Sequence, residues 1–120
     1  MFKTMAVVVF GLVLAACGNA GNTEQTALSA VQGGALLVDV RTAEEFATGH
    51  LPGAINIPHG EIVEGLSALN TAKSTEVVLY CRSGNRSGMA TSSLTEAGFN
   101  KAMNAGGYSA LKPVWDAAGS

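Results

Sequence analysis

Apolar residues along the chain fall into short runs separated by glycine, proline and amphipathic stretches. Leu36-Leu37-Val38-Asp39-Val40 follows Gly33-Gly34 and reads as a buried strand. Thr42 with Glu45 matches the capping box Thr-x-x-Glu, opening a short helix through Phe46 that Gly49 ends. Residues 54–57 predict a second strand, stopped by Pro58. Ile62, Leu66 and Leu69 recur at helical spacing over residues 61–69. Val77-Val78-Leu79-Tyr80-Cys81 is the clearest strand. A helix over residues 87–97 follows, with Met89, Ala90, Leu94 and Ala97 on one side and Gly98 as its stop. Residues 102–104 predict a short strand, and residues 108–118 a partly helical segment interrupted at Pro113. Strands alternating with helices argue for an α/β layer structure around a mostly parallel sheet flanked by helices on both faces.

The pattern differs at the N-terminus. Lys3 is followed by an apolar run over residues 6–16. At roughly 1.5 Å per residue the run is short for a bilayer core of about 30 Å, and it has the flanks of a secretory leader. Leu14-Ala15-Ala16-Cys17 resembles the bacterial lipobox, which implies cleavage before Cys17 and lipidation of that residue. Residues 1–16 are then a lipoprotein signal peptide, and residues 17–26 the lipidated Cys17 with a small, polar, flexible tether. Residues 27–120 form the folded domain. Acyl chains would anchor the protein to a membrane of the cell envelope, facing the periplasm or the exterior. Gly18 stands where an Asp would mean inner-membrane retention, which points to the outer membrane in a Gram-negative host.

The 120 residues carry a formal net charge of −2, with no basic run or basic–aromatic stripe, so nucleic-acid binding is not expected. A single-domain monomer is expected instead. Cys17 and Cys81 each sit in a context with its own chemistry, so no disulfide framework is expected. His50 and His59 lack further ligand-type neighbours, so no metal is expected, and His50 reads as a turn residue.

The chemistry concentrates in Cys81-Arg82-Ser83-Gly84-Asn85-Arg86, between a strand end and a helix start. Ligand sites of open α/β sheets lie at this edge. Loop amides turned inward by Gly84, the helix dipole, and the charges of Arg82 and Arg86 would all stabilise an anion. They would also lower the Cys81 thiol pKa and make an exposed thiolate nucleophile. Such a thiolate outside the cytosol would be open to oxidation. Arg86 could instead pair with a carboxylate such as Asp39 or Glu45, and Ser83 could serve the turn alone.

Three segments resemble the rhodanese family in the family's order. They are Asp39-Val40-Arg41 through Glu45-Phe46 to residues 49–58, the loop from Cys81 to Ser87, and Gly106-Gly107-Tyr108 with Trp115. The last departs slightly: Leu111 stands where an aromatic residue often does. The resemblance implies the rhodanese fold and a thiosulfate sulfurtransferase working through a Cys81 persulfide, with no cofactor. Its partners would be a small sulfur donor and a thiophilic acceptor, cyanide in the standard assay. Arg82, Ser83, Gly84, Asn85 and Arg86 would bind substrate, and Asp39 and Arg41 would support the pocket. Sulfurtransferases of this fold have six-residue loops, as here, whereas the related phosphatases have seven. A membrane-tethered sulfur carrier or interaction module with little turnover is the alternative.

Overall fold

A computed structural model describes residues 23–119. Residues 1–16, read from sequence as a leader, Cys17 and the first part of the expected tether lie outside the described residues. The chain enters on helix α1, Thr23–Gln32, so residues 23–26, read from sequence as tether, are helical. Ala27 is buried, and Leu28, Ala30 and Val31 pack around the same cluster. This polar, alanine-rich helix lacks a strong apolar stripe, which is why the pattern alone did not predict it. Gly34, at φ +113°, ends it, with Ala35 N–H donating to Ala30 O and Gly34 N–H to Val31 O. That is the paired bonding of a left-handed glycine cap.

Four strands form one parallel sheet in the order β2-β1-β3-β4. They are β1 Leu36–Asp39, β2 Ile55–Asn56, β3 Val77–Cys81 and β4 Ala102–Gly107. Side chains alternate across the central pair. Val38, Val77, Leu79 and Cys81 face one cluster with Ile62, Leu66, Ala90, Leu94 and Phe99. Leu37, Val78 and Tyr80 face the other with Ala27, Leu111 and Trp115. Helices cover both faces, so the strands read as nearly continuous apolar runs.

Helix α2, Ala43–Ala47, has the expected capping box: Glu45 N–H donates to Thr42 Oγ1 at 3.1 Å, and Thr42 N–H to Glu45 Oε1 at 3.0 Å. A 3₁₀ turn, His59–Glu61, leads into α3, Ile62–Ala68. Ile62 and Leu66 are buried there, but Leu69 lies past the helix and is exposed. Helix α4, Asn85–Glu96, starts two residues earlier than predicted and buries Ser87, Ala90 and Leu94. That stripe corrects the sequence reading of Met89, which sits off it and is 54% exposed.

Strand β4 is longer than predicted and contains a bulge. Leu79 pairs with Asn104, but Tyr80 pairs with Gly106, leaving Ala105 as the extra residue. Helix α5, Tyr108–Ala117, runs through Pro113 without the predicted interruption. The carbonyl deprived of its partner belongs to Ser109, an exposed residue where solvent can serve. Buried Leu111 and Trp115, one turn apart, hold the helix on both sides of the proline.

Candidate active site

Cys81 ends β3 and is a free thiol. Gly84 precedes α4 in the left-handed region, φ +99°, which folds the loop back over the strand end. Gly84 N–H thereby donates to Cys81 Sγ at 2.9 Å. Ser87 Oγ lies 3.4 Å from the same sulfur. Burial pushes the Cys81 thiol up, but hydrogen bonds from the Ser87 hydroxyl and the backbone N–H groups of Ser87, Ser83 and Gly84 outweigh it and hold the thiol below its ordinary value.

The exposed thiolate read from the sequence is corrected: Cys81 is only 1% exposed. Its side chain packs into the cluster with Ala90, Leu94 and Phe99, and β4 passes close beside its loop. A Cβ on Gly107 would lie 2.6 Å from Arg82 O. Gly107→Ala should therefore push the loop off the sulfur. It should destabilise the fold by about 1–3 kcal/mol in a thermal melt and shift the reactivity of Cys81 towards alkylating agents.

The two loop arginines differ. Arg86 pairs with Glu45 across α4 and α2, Nη1 to Oε1 at 2.9 Å and Nη2 to Oε2 at 3.2 Å. Of the two carboxylates the sequence offered, Glu45 is the partner because Asp39 is already taken. Arg82, Ser83 and Asn85 are exposed, and Arg82 makes no ion pair among the described residues. The bond to Arg86, then the Thr42 N–H, lowers the Glu45 carboxyl from 4.5 to about 2. A depressed folded value means its stabilisation is complete above pH 4.5 and fades as pH falls towards 2. Solvent screening keeps the pair's worth small. Between pH 5 and 2, urea unfolding of the parent should lose roughly 1 kcal/mol more than Glu45→Gln loses.

Asp39 and Arg41 form a buried pair at the end of β1, 0% and 5% exposed. Arg41 Nη2 meets Asp39 Oδ2 at 2.6 Å and Gly49 O at 2.7 Å, while Nε meets both Asp39 oxygens at 2.9 and 3.0 Å. The guanidinium lies 4.6 Å from the Tyr108 ring centroid. Its pKa is raised, chiefly by the Asp39 hydrogen bond. These charges neutralise each other and fasten residues 39–49 to the start of α5.

His50 stacks on Phe46 with ring centroids 3.6 Å apart and bonds Phe46 O through Nδ1 at 2.9 Å. A cleft of about 430 Å³ opens beside α4, lined by His59, Ile62, Val63, Glu64, Met89 and Ser93. Cys81 is not among its walls, so the cleft and the loop are separate features.

Sequence reasoning ended the loop motif on Ser87 without giving it a role and did not bring Asn104 to the site. Ser87 Oγ meets Asn104 Oδ1 at 2.7 Å, and Asn104 Nδ2 donates to Gly84 O at 3.1 Å. The available signal was a polar residue on the buried stripe of α4 and another inside a strand.

A cysteine at a parallel-strand terminus, hydrogen-bonded by a loop amide beside a helix start and with its thiol pKa lowered, has the surroundings that activated-thiol chemistry requires. The family model of the rhodanese-like domain matches residues 23–113, and the chain belongs to that family. The thiosulfate sulfurtransferase PspE of Escherichia coli is 40% identical over 70 residues, 58% of this chain and 67% of that protein. The putative sulfur carrier protein YrkF of Bacillus subtilis is 38% identical over 68 residues, 57% of this chain and 36% of that longer protein. Among solved structures, a rhodanese with anions from E. coli superposes with TM-score 0.59 at 38% identity, over 62% of this chain and 87% of that one. The human single-domain sulfurtransferase TSTD1 also gives 0.59, at 34% identity, over 69% and 85%. Sulfur transfer is the general chemistry of these relatives.

Proposed function

We propose that this protein carries sulfane sulfur from thiosulfate, or a donor of the same chemistry, to a thiophilic acceptor through a persulfide on Cys81. The observation that carries the reading is the Cys81 sulfur held by Gly84 N–H at 2.9 Å beneath a loop of six residues. In the first step the Cys81 thiolate attacks the outer sulfur of thiosulfate. The S–S bond to the sulfonate breaks, sulfite leaves with the electron pair, and Cys81–S–S⁻ remains. In the second step cyanide attacks the outer sulfur, thiocyanate departs, and the thiolate is restored. The loop N–H groups that favour the thiolate also suit the persulfide anion.

Arg82 is the better candidate for drawing in a dianionic donor, because Glu45 already neutralises Arg86. Arg82→Ala should raise KM for thiosulfate several-fold with kcat little changed, an effect that weakens with added salt. Arg86→Ala should instead lower the melting temperature by a few degrees along with the activity, since it removes the ion pair that links α4 to α2.

The test of the reading is incubation with thiosulfate followed by intact-mass measurement. One added sulfur on Cys81, released as thiocyanate by cyanide, is expected; no adduct at millimolar donor would overturn it. The resemblance to YrkF favours a second reading, a sulfur carrier. A stable Cys81 persulfide with negligible thiocyanate turnover would select it. A lipid on Cys17 and attachment to an envelope membrane complete the proposal, motivated by Leu14-Ala15-Ala16-Cys17. Membrane fractionation of the parent and Cys17→Ser tests this, and a Cys17→Ser protein that still sediments with membranes would sink it.

A further inference from the structure

Ser87 has one hydroxyl proton and two neighbours that accept it. Asn104 Oδ1 is 2.7 Å away and Cys81 Sγ 3.4 Å. The orientation of the Asn104 amide is fixed by its other contacts. Nδ2 donates to Gly84 O at 3.1 Å, and Oδ1 accepts Gly106 N–H at 3.0 Å. Exchanging the two atoms would set donor against donor at Gly106 and acceptor against acceptor at Gly84. The oxygen therefore faces Ser87, at the point where the β4 bulge begins.

We infer that Asn104 is a positioning residue for Cys81 acting through Ser87, its side-chain oxygen competing with the sulfur for the one Ser87 proton. While Cys81 is a neutral thiol, its S–H donates to Ser87 Oγ and Ser87 donates to Asn104. When the sulfur becomes a thiolate, the hydroxyl turns to it, and Gly106 N–H keeps Asn104 Oδ1 satisfied. In the persulfide the charge moves to the outer sulfur, and the Ser87 proton returns to Asn104. The functional meaning of this exchange rests on the reading of Cys81 as the sulfur-carrying group.

Replacing Asn104 removes none of the charged and titratable groups of the site. They are Arg82 in the loop, Arg86 on α4 with Glu45 from α2, the Asp39–Arg41 pair on β1, and Tyr108 at the start of α5. Asn104 is itself exposed, so truncating it leaves no buried hole.

The test is the pH dependence of iodoacetamide alkylation, read on the Cys81 peptide of the full chain by mass spectrometry so that Cys17 does not contribute. Asn104→Ala should move the midpoint down by about half a pH unit, because Ser87 is then free to donate to sulfur alone. Asn104→Asp, a stronger rival acceptor, should move it up. Both variants lose the bond to Gly84 O, so loosening of the loop alone cannot lower the midpoint in one and raise it in the other, and the charge that Asp adds can only raise it, which leaves the downward shift in Asn104→Ala as the deciding result. Ser87→Ala should raise the midpoint, and Ser87→Ala with Asn104→Ala should match Ser87→Ala alone. An unchanged or raised midpoint in Asn104→Ala would overturn the inference, as would a double variant that keeps the downward shift. Failure of thiosulfate to load Cys81 would overturn the sulfur-transfer reading while leaving these profiles interpretable.

Discussion

Replacing Cys81 with serine is expected to lower kcat/KM for sulfur transfer by roughly three orders of magnitude or more, measured as thiocyanate formation. The hydrogen-bond donors remain, because Gly84 N–H and Ser87 Oγ would meet the new oxygen instead. What is lost is the sulfur itself: a thiol ionises far more readily than a hydroxyl and is the better nucleophile and leaving group towards sulfur. The fold should scarcely register the change, since the two side chains are nearly equal in size. An unaltered melt with no persulfide adduct would place the defect in the chemistry. Persistent thiocyanate production by Cys81→Ser would show that another group carries the sulfur.

Asp39→Asn should have the largest effect on stability. The substitution keeps the shape of the side chain but leaves the Arg41 guanidinium charged, buried and without a counter-ion. Breaking one half of a buried pair costs about 3–5 kcal/mol. In a domain of this size that corresponds to a melting temperature lower by roughly 15 °C or more, readable by circular dichroism. Asp39→Leu with Arg41→Met removes both charges and should recover much of the loss, though Gly49 O would still lack its donor. A single variant that melts like the parent would mean that solvent reaches Arg41 freely.

Much of the fold was legible in the sequence because the sheet is parallel and covered on both sides. Continuous apolar runs such as Val77-Val78-Leu79-Tyr80-Cys81 are then hard to mistake. The capping box at Thr42 and Glu45 was legible for a similar reason, since both partners lie within one turn. Features that depend on distant packing were not legible. Helix α1 is held by contacts with α5 and β4 rather than by its own pattern. Pro113 is accommodated because tertiary burial on both sides overrides a local breaker. At the site, the loop residues could be read in order along the chain, but the close passage of β4 beside the Cys81 loop and the link from Ser87 to Asn104 cross long stretches of sequence. No local pattern announces them.

The extra residue in β4 sets a phase. With regular pairing, Gly106 would stand opposite Cys81 and Gly107 would fall one step beyond. With Ala105 inserted, Gly107 takes the place beside the loop and α5 begins immediately after it. One residue thus separates two requirements: a strand long enough to reach α5, and a bare backbone where the loop must pass. Lineages that gained or lost a residue here would change how closely β4 passes the loop in a single discrete step, without altering any residue of the loop itself.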